Sequence, residues 1–396
     1  MKKTMALVMA AAMTLSMFSA CGNSNSGNNQ TANNQSNSDS GTVKIGAMGP
    51  YTGDLSVYGT SVLNGIKQAV AEINADGGIG GKQIELVSMD DKGDPNECVN
   101  AYNKMRSEDV DAIIGAVTSG PSIAISDIAG DEYEEGNGVL VITPSGTALD
   151  ITTYGENIFR ACFTDPFQGK TMADFAAENL GAKKVAVIYD NSSDYSQGIT
   201  EAFVAEAQAK GMEVVAQESY GSDNVDFSTQ LTNIQGKNPD VLFIPDYYEK
   251  VALITTQARK IGLDIPFLGT DGWDGVLDVL DANSVSVVNG CYFSSHYSTT
   301  DTAENVQTFV SNYEKQYNVA PTAFSALAYD CVYMLKQVIE ENGTDAEAMV
   351  AGMQAISYYG VTGRITFDEN GDPVKSVSIL TLNDGVVSLE TKMDVE

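Results

Sequence analysis

The chain has 396 residues, with 53 acidic against 22 basic side chains for a formal net charge of −31, a single histidine and five cysteines. A field of that sign repels nucleic acid and anionic lipid, so neither is expected as a partner, and it says nothing about fold. One histidine, His296, excludes most metal centres and base catalysts, and neither a metal nor a cofactor is expected.

The chain opens with Met1, Lys2 and Lys3, continues through an apolar run from Met5 to Met17, and reaches Phe18-Ser19-Ala20-Cys21. A basic start, an apolar run too short to span a bilayer comfortably and small residues before a break mark an export signal. The segment resembles a bacterial lipoprotein signal, in which cleavage leaves a diacylated cysteine at the new N-terminus, although Phe18 stands where leucine is commonest. The alternative is an ordinary secretory signal with an incidental cysteine. Gly22 to Gly41 is almost wholly Asn, Ser, Gly, Gln and Thr, with nothing apolar larger than Ala32, and cannot offset the entropy of ordering. Residues 1–20 are therefore read as signal peptide and 21–41 as lipidated Cys21 plus flexible tether. This places a globular part outside the cytoplasm, held to the membrane by a lipid anchor.

About 355 residues remain, too many for one small core and suited to two lobes. Val43 to Met48 reads as a strand ending in a turn-rich loop, and Val62, Ile66, Ala69, Val70 and Ile73 fall at helical spacing before Asp76-Gly77-Gly78. Ile84 to Met89 is a second strand, Asp94-Pro95 starts a helix, and Ala112 to Ile114 is a third strand. It ends in Gly115-Ala116-Val117-Thr118-Ser119-Gly120, with a helix expected from Pro121, and Val139 to Ile142 runs into Thr143-Pro144-Ser145-Gly146-Thr147. Two strands thus end in small hydroxyl-bearing loops, one opening onto a helix N-terminus, where unpaired N–H groups and a partial positive charge suit a carboxylate or phosphate. The same Ser and Thr also serve as plain N-caps.

Near Ile158 to Pro166 the pattern restarts, with a helix from Gln168 to Asn179, a strand at Lys184 to Tyr189 and a polar loop from Asp190 to Gly198. Strands at Glu213 to Val215, Val241 to Ile244 and Pro266 to Asp271 alternate with further helices; helices near Ala303 to Tyr317 and Phe324 to Asn342 and a strand at Val377 to Leu382 follow. Regular alternation predicts an α/β fold of two similar lobes, each a parallel-type sheet flanked by helices. The expected division is 42–162 with 298–362 for one lobe and 163–297 with 363–396 for the other, joined by several hinge crossings. Such a design makes a cleft that closes on a ligand bridging both halves.

Four stretches, Val43 to Gly46, Asn74 to Leu86, Ile142 to Ser145 and Phe267 to Gly272, resemble the branched-chain amino-acid-binding proteins that serve ABC importers, the type I periplasmic binding proteins. The likeness runs in order from Val43 to about Leu389. It implies that Thr118, Ser119 and Thr147 bind the α-carboxylate of an amino acid. The carbonyl of Ser145, beside Gly146, and the carboxylate of Asp271 then take its ammonium, and Tyr58, Tyr195 and Tyr247 line the pocket. It further implies a monomer that delivers its ligand to an ABC permease. A hydrogen bond to a charged group contributes roughly 1.5–3 kcal/mol, so such a set reaches micromolar affinity, about 8 kcal/mol. The family more often has Glu at the Asp271 position, and the only tryptophan, Trp273, either narrows the side-chain pocket or anchors the lobe surface. Equally, the three tyrosines are ordinary half-buried residues until placed.

Other signals are weaker. Gly77 to Lys82 follows a helix and precedes a strand, the reverse of a phosphate loop. Asp90 to Asp94 and Asp368 to Asp372 read as turns, because the glycine comes too early for a calcium loop. Cys98, Cys162, Cys291 and Cys331 read as buried thiols, with a disulfide possible. An exported hydrolase using His296 is the rival class, but there is no Gly-x-Ser-x-Gly elbow, and His296 in Ser294 to Ser298 reads as solvated. A sensor domain or a binder of another small amide or carboxylate are further readings.

Overall fold

The computed structural model describes residues 41–393, so the expected signal peptide and Cys21 lie outside the described residues. The first sheet comes from strands β1 (Val43–Gly49), β2 (Ile84–Asp90), β3 (Ala112–Ile114), β4 (Leu140–Thr143) and β5 (Ile158–Arg160), all parallel, in the order β2-β1-β3-β4-β5. Helices α1 (Ser56–Ala75), α2 (Pro95–Ser107) and α3 (Ser119–Glu134) connect them. Each strand but the edge β2 is almost wholly buried, as a sheet covered on both faces requires. The start of α2 follows its sequence closely: Asp94 accepts the N–H groups of Asn96 and Glu97, and Pro95 occupies the first turn, where its missing N–H costs nothing.

The second sheet is built from β6 (Lys184–Asp190), β7 (Glu213–Tyr220), β8 (Val241–Phe243), β9 (Phe267–Gly269) and β10 (Cys291–Ser295), interleaved with α4 (Asp165–Glu178), α5 (Asp194–Ala209), α6 (Ser228–Gln235), α7 (Tyr248–Lys260) and the short α8 (Val276–Val279). The chain then makes α9 (Glu304–Tyr317), α10 (Ala323–Asn342), α11 (Ala346–Ala355) and a hairpin of β11 (Tyr358–Gly360) and β12 (Gly363–Ile365). Helices α9 and α10 pack back on α1. Finally β13 (Val377–Asn383) and β14 (Val386–Met393) join β10 antiparallel, giving the order β14-β13-β10-β9-β8-β6-β7. The second sheet is therefore mixed, with an antiparallel pair at one edge of a parallel body.

Three passages link the sheets: after β5, after β10 and before β13. Lys375 joins the first to the last, its buried ammonium donating to the Ala161 carbonyl and to the Thr362 hydroxyl. Thr362 in turn donates to the buried carboxylate of Asp330 on α10, which also takes the N–H groups of Val361 and Thr362. The two acidic stretches are turns: Asp368 accepts the N–H groups of Asn370 and Asp372, and Asp91 that of Gly93. Cys98, Cys162, Cys291 and Cys331 are buried free thiols.

Gly65 sets how closely α1 and α10 approach. A Cβ there would lie 2.1 Å from the Ser325 carbonyl oxygen. Gly65→Ala gains up to about 1 kcal/mol of helix propensity and loses more by overpacking, so it should destabilise by roughly 1–2 kcal/mol. A lower urea midpoint with unchanged slope is expected; an unchanged or higher midpoint would contradict this close approach.

Candidate functional site

The carboxyl ends of the strands in both sheets face one seam, the place where open α/β sheets hold ligands. On the first lobe, α3 begins at Ser119, two residues before the expected Pro121, with Thr118 in extended conformation as its N-cap. Thr118 makes no side-chain cap bond; its carbonyl accepts from the backbone and hydroxyl of Ser122. The helix therefore starts without the side-chain acceptor that ordinarily satisfies its first donors. The N–H of Ser119 meets the Tyr247 hydroxyl, which reaches it from the second lobe.

The neighbouring loop after β4 is tied down by its own hydroxyls. Thr143 donates to the Ala116 carbonyl at 2.6 Å and accepts the Gly146 N–H at 2.8 Å, while Ser145 donates to the Val117 carbonyl at 2.7 Å. The Ser145 side chain is thus spent on structure. A Cβ at Gly146 would sit 2.8 Å from both the Ile151 side chain and the Ser122 hydroxyl, so a larger residue there would have to push these side chains aside. From beneath, fully buried Arg160 donates to the carbonyls of Gly146, Ala148 and Leu149 and pairs with Asp372 at 2.5 Å. Ser119 accepts the Ala148 N–H, closing the loop onto α3. Thr147 is left with its hydroxyl buried and unbonded, beside the Asp165 carboxyl.

On the second lobe, Tyr195 lies in the first turn of α5, which starts at Asp194 where the sequence pattern predicts a loop. Its ring stacks on Tyr247 with centroids 4.7 Å apart, and its hydroxyl donates to Asp271 at 2.8 Å, touches Thr270 at 2.7 Å and accepts the Gly272 N–H. Tyr58, on α1 of the first lobe, reaches across: its hydroxyl donates to the Gly272 carbonyl and accepts the Tyr248 N–H, and its ring meets Tyr247 edge-on at 5.7 Å. The three tyrosines therefore form one cluster spanning both lobes. Trp273 does not join them. Its indole donates to the Ile244 carbonyl at 2.8 Å, its recorded ring partner is Phe293, and it fills the space over Gly269 inside the second lobe.

Asp271 is 2% exposed. Its backbone N–H goes to Gln168, and its second oxygen lies 3.3 Å from the His296 ring. His296 corrects the expectation of a solvated side chain. It follows β10, a strand that the Ser-rich sequence hides, and it is buried against Phe163 with ring centroids 3.7 Å apart. Burial pushes its pKa down to about 4, so it is neutral near pH 7 and its contact with Asp271 is a hydrogen bond between a carboxylate and an uncharged ring.

The sequence pattern also does not single out Asp165. Helix α4 starts at Asp165, three residues before the expected Gln168, and the carboxyl is 2% exposed with one oxygen unbonded. Burial raises its pKa well above the usual range, with Asp271 adding to the rise. An Asp-Pro pair at a helix start is ordinary N-terminal chemistry; only the fold brings it beside Thr147. Two carboxyls, an uncapped helix start and a cluster of aromatic rings thus meet in the seam.

The comparisons with known proteins agree with this geometry. Residues 42–386 match the family model described as periplasmic binding protein. The Leu/Ile/Val-binding protein BraC3 of Rhizobium johnstonii is 31% identical over 334 residues, 83% of this chain and 88% of that protein. The leucine-binding protein LivK of Thermotoga maritima superposes with a TM-score of 0.81 at 35% identity, covering 89% of this chain and 99% of that one. The branched-chain amino acid transporter substrate-binding protein LivJ of Streptococcus pneumoniae, in complex with isoleucine, does so with 0.80 at 33%, covering 89% and 99%. The fold and seam are those of a two-lobed solute-binding protein of type I. The chain belongs to the periplasmic binding protein family, as its four sequence stretches imply.

A depressed histidine pKa has a defined sign. The unfolded chain takes up a proton near pH 6.5 and the folded one only near pH 4, so the stability held by neutral His296 is complete above 6.5 and is lost as pH falls toward 4. Because the chain has one histidine, its imidazole NMR signal reports directly. It should stay at its neutral position from pH 8 to pH 5; a midpoint near 6.5 would show a solvated ring.

Proposed function

We propose that the protein binds an amino acid, branched-chain or otherwise aliphatic, in the seam between its lobes and delivers it as a monomer to an ABC permease. The charge layout of the seam carries this reading. A helix start without a side-chain cap lies on the first lobe, and two buried carboxyls, Asp271 on the second lobe and Asp165 beside Thr147, have no lysine or arginine partner among the described residues. That is the complement of a zwitterion, and the stacked rings between them suit an apolar side chain.

In this reading the α-carboxylate lies at the start of α3 on Ser119, with Thr118 and Gly146 shaping the loops and the free hydroxyl of Thr147 donating to it. Tyr247 gives up the Ser119 N–H when the ligand arrives. The ammonium is held by Asp271, with Asp165 as the second carboxylate and the Ser145 carbonyl as the acceptor implied by the family resemblance. Tyr58, Tyr195 and Tyr247 surround the side chain. Trp273 has a supporting role, fixing the turn that carries Asp271. Export and lipidation at Cys21 would keep the binding domain within reach of its permease on the outer side of the membrane.

Leucine, isoleucine or valine should raise the melting temperature, since a ligand that binds only the folded state stabilises it. No shift with any amino acid would overturn the assignment and direct the search to small carboxylates and amides. Asp271→Asn should keep the fold and weaken binding by about tenfold or more, the worth of a hydrogen bond to a charged group; unchanged affinity in a calorimetric titration would remove Asp271 from the site. Separately, Cys21→Ser should abolish incorporation of labelled palmitate in cells, and retained label would place the anchor elsewhere.

A further inference from the structure

His296 lies behind the Asp271 carboxylate, and its ring comes from the crossings that link the sheets. It follows β10 in the second crossing, while Phe163, stacked on it with centroids 3.7 Å apart, follows β5 in the first. The residue is 4% exposed. Its Nε2 lies 3.3 Å from Asp271 Oδ2, and its Nδ1 is buried with no hydrogen-bond partner.

The unpartnered nitrogen decides the tautomer. A proton on Nδ1 would make a buried donor with no acceptor, a rarer and costlier orphan than an unused lone pair, and would turn the bare Nε2 toward the carboxylate. With the proton on Nε2 the ring donates to Asp271, and only one acceptor lone pair is left unused. A second proton is opposed by burial and by the Lys375 ammonium nearby. Lys375 is itself held in place, donating to the Ala161 carbonyl and the Thr362 hydroxyl.

Asp271 therefore has one neutral donor on each oxygen, the Tyr195 hydroxyl on Oδ1 at 2.8 Å and the His296 N–H on Oδ2. Two such donors fix the plane of the carboxylate without cancelling its charge, as a paired lysine or arginine would. Each oxygen keeps a second lone-pair direction free for an ammonium. We propose that His296 is a positioning residue for ligand recognition: as the neutral Nε2–H tautomer it holds Asp271 in the orientation that receives the ammonium of an amino acid. This role rests on the reading in which Asp271 takes that ammonium. A ring that only packed on Phe163 could be exchanged for another ring, whereas a ring that orients Asp271 cannot.

The test has two readouts on the full chain. With nitrogen-15 in the imidazole, long-range proton–nitrogen correlations of the single histidine give its tautomer without any ligand; at pH 7 Nε2 should carry the proton and Nδ1 should be bare. Calorimetric titration with leucine then measures the role. His296→Phe, which keeps a ring on Phe163 and removes the donor, should weaken binding about tenfold, the value of one hydrogen bond to a charged group. His296→Gln, whose amide nitrogen can take the place of Nε2, should recover most of that loss. A proton on Nδ1, an imidazolium at pH 7, unchanged affinity in His296→Phe, or equal losses in the two variants would each overturn the proposal. The tautomer is read on the unaltered chain, so it decides the matter if His296→Phe does not fold. Failure of the seam reading is distinguishable: the unaltered chain then binds no amino acid, and this role falls with it.

Discussion

Two carboxyls, Asp165 and Asp271, are buried where the lobes meet, with no lysine or arginine paired to either among the described residues. A carboxylate taken out of water is costly unless donors or a cation compensate it. Here the compensation is divided. Asp271 receives the Tyr195 hydroxyl and sits against the neutral His296 ring, whereas burial pushes the Asp165 pKa well up. Placing an ammonium between them would supply what the chain withholds. Gln168 and Phe163 serve the same end indirectly, the first by holding the Asp271 backbone and the second by packing on His296.

The first lobe answers with rigidity instead of charge. Arg160 spends its guanidinium on three carbonyls, the Thr152 hydroxyl and Asp372, none of them a ligand group, and so fixes the loop from Gly146 to Leu149 from below. A loop held in that way can present Thr147 with an unbonded hydroxyl, because the order is maintained by contacts elsewhere. Across the seam, Tyr58 gives and takes one hydrogen bond with the second lobe, and Tyr248 reaches back to the Asp54 carbonyl and the Val57 N–H. Closure therefore has hydrogen-bonding machinery of its own, while Lys375 and Asp330 keep the crossings in register.

Much of this is legible in the sequence, for reasons that can be stated. Strands such as Val43–Gly49 and Val241–Phe243 are short apolar runs bounded by turn residues, and the hydroxyl-rich loops after β3 and β4 stand at a helix start, where their chemistry is informative without a structure. Long-range groupings are not legible in the same way. Tyr58, Tyr195 and Tyr247 become one cluster only through the family resemblance or the fold itself. β10 is invisible to periodicity because its Ser294 and Ser295 are buried polar residues, satisfied by Gln168 and the Tyr297 carbonyl, and a strand hidden in this way makes His296 look exposed. Asp165 escapes notice because its local role, opening a helix ahead of Pro166, already accounts for it. Trp273 shows the opposite error: proximity in sequence to Asp271 suggests a shared pocket, whereas the short 3₁₀ turn Asp271–Trp273 accompanies opposite assignments, Asp271 to the tyrosines and Trp273 to the lobe interior.

The central claim is that both charges of an amino acid are recognised, the carboxylate by the start of α3 and Thr147 and the ammonium by Asp271 and Asp165. The measurement that tests it most directly is displacement of bound radiolabelled leucine by its two half-charged analogues, 4-methylpentanoate, which lacks the ammonium, and isopentylamine, which lacks the carboxylate. Each should compete about a hundredfold less well than leucine itself, since each leaves a buried polar group of the site unpaired. Competition by 4-methylpentanoate at the strength of leucine would contradict the account, because the two acids would then have no part in recognition.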